Sequence, residues 1–117
     1  MKGKLMTKLP ETIETWVTAL ESGEYKQAIA TLHRGGGYCC LGVYATVVLG
    51  YSDEDISVED YNYQDEGPDK VYEAIKAAKD MDHKCYSEGI EMNDYGDSFE
   101  DIAKMIRETY VNPNQEV

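Results

Sequence analysis

The chain has 117 residues, 42% of them hydrophobic and 29% charged, with a formal net charge of -12 and a pI near 4.4. That length suits one domain around one core, and the apolar share is that of a folding chain rather than a disordered one. A field this negative repels duplex DNA, RNA backbones and anionic membrane surfaces, so neither duplex nucleic acid nor a membrane is an expected partner. The only visible cluster of cations, Lys2, Lys4 and Lys8, reads as a solvated tail. The start, residues 1–5, is not followed by an apolar run of signal-peptide length and no stretch reaches membrane-spanning length, so a cytoplasmic location is expected. Three cysteines, two of them adjacent, do not make a secreted disulfide framework and are expected as reduced thiols.

In chain order, Ile13, Trp16, Val17 and Leu20 recur at helical spacing behind Pro10 and stop at Ser22-Gly23, which predicts a helix over 10–22. Residues 27–33 alternate well enough for a strand, and Gly35-Gly36-Gly37 follows as a hairpin or tight connection. The run 38–49 is almost wholly apolar, so its periodicity cannot separate a buried strand from a buried helix. Its length favours a helix over about 40–49, stopped by Gly50. Residues 51–67 carry seven carboxylates with Tyr51, Tyr61 and Tyr63, the composition of an exposed acidic loop.

A second helix is expected from Gly67-Pro68-Asp69 to about residue 79, with Val71, Ile75 and Ala78 on its apolar face and Tyr72 beside them. Residues 86–92 read as a short strand weakened by Gly89, and 93–96 as a turn. Ser98 is a good N-cap for a last helix with Phe99, Ile102, Ala103, Ile106 and Tyr110 on one face and Pro113 beyond its end. The resulting fold class is α+β: a compact single domain over 1–117, with three to four helices and a small antiparallel sheet or hairpin. Its ends, 1–8 and 112–117, are expected to be flexible.

No self-sufficient catalytic constellation stands out. Cys39, Cys40, Cys85, His33 and His83 exhaust the soft and imidazole ligands, but their spacing is not that of a zinc site. Cys39 and Cys40 at the entry of an apolar run read as core residues rather than nucleophiles. Carboxylates are too abundant for their number to signal acid–base chemistry, and 53–60 lacks the glycine and terminal glutamate of a calcium loop. No metal or cofactor is expected. The triple glycine beside Arg34 would suit a phosphate cradle or a plain hairpin loop. Ten tyrosines against a single phenylalanine hint at recognition, since tyrosine offers a stacking face and a polar hydroxyl. With hydrogen bonds from Gln27, Asn93 or Asp94, such rings would hold a small nucleotide without a basic field.

Three blocks carry a resemblance. They are Trp16-x-x-Ala19-Leu20-x-Ser22-Gly23-x-Tyr25-x-Gln27, Tyr38-Cys39-Cys40-Leu41-Gly42-Val43, and Asn93-Asp94-x-Gly96-x-Ser98-Phe99-x-x-Ile102-Ala103. In this order they resemble a widespread family of small phage proteins, associated with the immune-evasion sponges that sequester the cyclic nucleotides of bacterial CBASS defence. The stretch 51–67 departs from the family in being more acidic and richer in tyrosine. The resemblance implies binding of a cyclic dinucleotide or oligonucleotide without turnover, in the cytoplasm of an infected host cell, by a homo-oligomer with a tetramer favoured. It implies a site at Tyr25, Gln27, Arg34, Tyr38, Asn93 and Asp94. Two other classes stay open. One is an acidic interaction protein that occupies a host protein or mimics DNA; the other is a small nucleotide hydrolase with Asp94 and a second carboxylate on a metal.

Overall fold

The computed structural model describes residues 9–29, 31–57 and 67–111. The expectations for the two ends, for the lysines among 1–8 and for 58–66 fall outside these residues. Among the described residues, six helices and three two-residue strands follow one another as α1 (Glu11–Glu21), β1 (Lys26–Gln27), β2 (His33–Arg34), β3 (Gly37–Tyr38), α2 (Cys40–Val47), α3 (Asp53–Ile56), α4 (Gly67–Lys76), α5 (His83–Asp94) and α6 (Phe99–Val111). The class is α+β as expected, with more helices than the three to four anticipated and a mixed sheet in place of an antiparallel one.

Helix α2 is the centre. Its residues Cys40 to Ala45 are all buried, because α1, α4 and α5 pack around it. A helix covered on every side has no polar face, which is why periodicity could not identify it. Helix α1 turns Ile13, Trp16, Val17 and Leu20 inward against α2 and α6. There the Trp16 indole N–H donates to the Cys40 carbonyl at 2.9 Å, and its ring meets Tyr44 edge-on at 5.1 Å. Helix α6 buries Phe99, Ile102, Ala103 and Ile106, and the Ser98 hydroxyl caps it by accepting from Asp101 N–H at 3.1 Å. Outside the core, Arg107 of α6 grips Glu21 of α1 through two bonds of 2.8 and 2.9 Å.

The expected strand 27–33 is two strands instead. Lys26–Gln27 runs parallel to Gly37–Tyr38 on one edge, and His33–Arg34 runs antiparallel to it on the other, giving the order β1-β3-β2. One extended strand could not do this, since two edges of the same short partner require the chain to turn between them. Gly35 and Gly36, at φ +57° and +81°, close the β2–β3 hairpin with the left-handed backbone of a two-residue primed turn.

The expected strand 86–92 is a helix. Asp82 caps α5 by accepting from Lys84 N–H and Cys85 N–H, and Cys85, Gly89 and Asn93 recur every four residues on its buried face. That face holds no large aliphatic residue, so the helical period was hidden. Gly89 lets α5 come so close to α2 that an added Cβ would lie 3.2 Å from Cys40 Sγ. The start of the acidic stretch is also more ordered in its packing than a loop. Asp53, Glu54 and Asp55 are exposed as expected, but Ser52 and Asp55 form a capping box for α3, and Ile56 and Ser57 are buried. Ser57 bridges to His33 at the sheet edge. No helix among the described residues is long and apolar enough to cross a membrane.

Candidate functional site

Asn93 ends the buried face of α5 and is 1% exposed. Its Oδ1 accepts from Gln27 Nε2 at 3.0 Å and from Cys40 N–H at 3.2 Å, and its Nδ2 donates to the Ala28 carbonyl at 2.7 Å. Gln27 Nε2 also donates to the Asp97 carbonyl at 2.7 Å. One amide thus ties the β1 segment, the first turn of α2 and the end of α5 together, and satisfies an N–H that α2 cannot satisfy internally. The three blocks of the sequence meet in this network.

On one side of it lies a cavity of about 120 Å³, lined by Thr31, Cys39, Tyr72, Ile90, Asn93 and Asp94. Burial pushes the Cys39 thiol up to about 11, with the Asp94 carboxylate adding to the effect and the Gly42 N–H opposing it. Burial also holds Cys40 well above the ordinary thiol range and takes Cys85 to about 12. All three cysteines are therefore neutral, free thiols at physiological pH, and none offers the thiolate that nucleophilic chemistry needs. The Tyr72 hydroxyl is held above its usual value by burial first, then by Cys39, Tyr86 and Asp94, so it stays a proton donor. Thr31 is 7% exposed, and its hydroxyl has no hydrogen-bond partner among the described residues.

Side chains in register across a sheet share a face. Gln27, Tyr38 and His33 form one row, and Lys26, Gly37 and Arg34 the other. In the first row Tyr38 meets Tyr25 edge-on at 5.3 Å and His33 at 4.7 Å, and its hydroxyl donates to Asp53 Oδ1 at 2.7 Å. Burial, with that bond to Asp53, raises Tyr38 to about 12. His33 Nε2 lies 3.8 Å from Asp53 Oδ2, too far for a hydrogen bond. In the second row, two exposed cations flank a residue without a side chain.

Of the residues expected at the site, Gln27 and Asn93 are joined by a hydrogen bond, Tyr25 and Tyr38 are in ring contact, and Asp94 lies at the cavity with Asn93. Arg34 is exposed on the face of β2 and β3 opposite Tyr38, so these two do not converge. Thr31 and Tyr72 were not singled out as site residues. Tyr72 sat within a helical apolar pattern, and only the excess of tyrosine pointed at it. Among the described residues, no group of three His, Cys, Asp or Glu side chains is arranged to hold a metal.

Fold and site together define a small helix-rich α+β domain, with a buried central helix whose N-cap, Cys39, lines a small cavity of mixed polar and apolar character. The chain belongs to the family described as Domain of unknown function (DUF8296), whose profile matches residues 9–110. Comparison with the curated proteins and with the solved structures found no match.

Proposed function

We propose that the protein binds and sequesters a nucleotide second messenger, a cyclic dinucleotide or cyclic oligonucleotide, without cleaving it, and so blunts CBASS-type defence in an infected cell. The observation that carries this reading is the cavity at the meeting point of the three sequence blocks, where Asp94 and Tyr72 offer polar groups beside a scaffold already satisfied by Asn93. Lys26 and Arg34 support it. They lie on one face, two strand spacings or about 10 Å apart, on either side of Gly37. Cys39 follows Gly37 by two residues in extended backbone, so this cationic row and the cavity belong to the same side of β3. Phosphates attracted by the row would leave an uncharged part of the ligand to reach the cavity. Ile29 and Tyr95, the large hydrophobics most exposed among the described residues, both flank the Asn93 network, which favours a homo-oligomer with subunits meeting near the cavity.

The test is calorimetric titration with a panel of cyclic di- and trinucleotides, followed by heating and chromatography of the released ligand. Saturable binding with intact ligand recovered is the expected result. Altered ligand would assign a hydrolase instead, and no binding and no thermal shift with any nucleotide would refute the reading. A second reading, an acidic partner for a host protein, is favoured by the carboxylates of Asp53, Glu54 and Asp55 exposed together on α3. Capture of a host protein that Asp53→Asn with Glu54→Gln abolishes would support it.

A further inference from the structure

At about 120 Å³ the cavity is smaller than the ~150 Å³ void that takes up one benzene ring, so it holds neither a purine base nor a whole sugar. It has the room of about four water molecules at ~30 Å³ each, enough for a hydroxyl group and the carbons beside it. Its lining has no lysine or arginine and includes the Asp94 carboxylate, so a phosphate is repelled. Asp94 already has an interaction within the protein, and its part here is that negative field alone. Asn93 is occupied as well, since its oxygen accepts two bonds and its nitrogen donates one to the fold.

What remains is a pair of hydroxyls. Thr31 lines the cavity, is more than nine-tenths buried, and carries a hydroxyl with no hydrogen-bond partner among the described residues. Leaving that bond unmade costs folding free energy. With no bond to fix its rotamer, the hydroxyl can turn about χ1 toward the cavity that the residue lines. Tyr72 lines the same cavity, and burial, which raises its hydroxyl above the usual value, keeps the proton in place. Each of these hydroxyls both donates and accepts. The group that complements them is small, neutral and able to do the same, which an alcohol is and a carbonyl, an acceptor only, is not. In a nucleotide closed into a ring through its backbone, each ribose spends two oxygens in phosphodiesters and keeps one hydroxyl.

We infer that the cavity at Thr31 and Tyr72 is a sugar-hydroxyl subsite, which receives the remaining ribose hydroxyl of a cyclic ribonucleotide and so separates that ligand from its deoxyribose counterpart. This rests on the nucleotide-binding reading above and adds which part of the ligand enters the cavity. A hydrogen bond between neutral groups accounts for roughly three- to tenfold in affinity.

The experiment is titration of the full chain with cyclic di-GMP, cyclic di-AMP and cyclic tri-AMP, each as the ribonucleotide and in its 2′-deoxy form. The deoxy form of any ligand that binds is expected to be weaker by roughly three- to tenfold or more. Ribose and deoxyribose also differ in ring pucker, so the deciding readout is a cycle with Thr31→Val, which keeps the shape of the side chain and removes its hydroxyl. The variant is expected to lose affinity for the ribonucleotide by a similar factor and to bind the deoxy form as the parent does. Its melting temperature without ligand is expected to be no lower than the parent's, because the hydroxyl removed makes no bond among the described residues. Tyr72→Phe is expected to show the same selective loss. Equal affinity for the two sugar forms, or equal losses for both forms in the two variants, would overturn the inference and leave sequestration standing. Absence of binding by every ribonucleotide would overturn both.

Discussion

Replacing Gly42 by alanine inside an ordinary helix would stabilise the protein by roughly 0.5–1 kcal/mol, because glycine loses more backbone freedom on folding. Here the opposite is expected. A Cβ on Gly42 would overlap the Leu32 carbonyl oxygen and stand 3.0 Å from its carbon, where ordinary contact begins near 3.4 Å. The obstacle is backbone, and it is held in place. Leu32 O accepts from Cys39 N–H at 3.2 Å, and Thr31 and His33 on either side are buried. Relief requires α2 to move away from the β2 segment by more than an ångström, which breaks that bond. Overpacking of this kind costs about 1–3 kcal/mol and occasionally more. The Cys39 N–H and Leu32 carbonyl left unpaired add about 1–3 kcal/mol. Allowing for the gain in helix propensity, the net loss is about 3 kcal/mol, a large part of the 5–15 kcal/mol typical of a domain. Urea unfolding followed by fluorescence of Trp16, the only tryptophan, reads it directly. With a slope of about 2 kcal/mol/M, the midpoint falls by about 1.5 M. Gly89→Ala is the control, since its Cβ meets only the Cys40 sulfur at 3.2 Å, and its midpoint is expected within about 0.5 M of the parent's. A Gly42→Ala protein as stable as the parent would refute the close approach of α2 to Leu32.

Three further outcomes follow from the same packing. Asn93→Leu leaves Cys40 N–H, the Ala28 carbonyl and the Gln27 amide short of a partner, and is expected to cost about 3 kcal/mol or more in urea unfolding; a loss under 1 kcal/mol would show the network to be incidental. Cys39 and Cys85 are raised to about 11 and about 12, so above pH 9 the unfolded chain releases thiol protons that the native one keeps, and stability falls with rising pH from about 9 to 12. Alkylation mapped by mass spectrometry should find both thiols protected at pH 8 in the native protein and labelled in urea. Arg107 holds the Glu21 carboxyl below its usual range through paired hydrogen bonds. That contribution is present above the unfolded carboxyl pKa and lost as pH falls through the native one. Since both side chains are about a third exposed, Glu21→Gln is expected to cost no more than about 1 kcal/mol at pH 7, and less in high salt.

Helices whose apolar faces are built from large side chains were readable from sequence. Ile13, Trp16, Val17 and Leu20 in α1, and Phe99, Ile102 and Ile106 in α6, mark one stripe each, turned into the core. Helix α5 was not readable, because its buried stripe is Cys85, Gly89 and Asn93, and close backbone approach replaces hydrophobic bulk there. The two short outer strands were misread as one, because β-pairing depends on a partner that arrives later in the chain, and Gly37–Tyr38 takes a strand on each edge. At the site, Asn93 and Gln27 were read as hydrogen-bonding groups for a ligand, and their bonds to each other and to the backbone were not foreseen. Whether an amide faces a ligand or the backbone of its own fold depends on which N–H groups the tertiary structure leaves unsatisfied, and here that is Cys40 N–H at the start of α2.

The residues that carry the family resemblance are largely consumed by the fold. Trp16 bonds the Cys40 carbonyl, Asn93 bonds the Cys40 N–H, Gln27 bonds Asn93, the Cys39 sulfur accepts from Gly42 N–H, and Gly42 itself is the point where α2 meets Leu32. All of them act on the first turn of one buried helix, so together they place the wall of the cavity without choosing what enters it. On the proposed reading the choice falls to side chains that do not act on that turn. Asp94 and Tyr72 sit at the cavity, and Lys26 and Arg34 are exposed in one row across β3. The two groups therefore separate by experiment. Substitutions in the first should lower the unfolding midpoint whether or not ligand is present. On the proposed reading, substitutions of the exposed Lys26 and Arg34 should leave the midpoint of the free protein unchanged and remove only the increment that ligand adds, because a bound ligand stabilises in proportion to the logarithm of its concentration over its Kd.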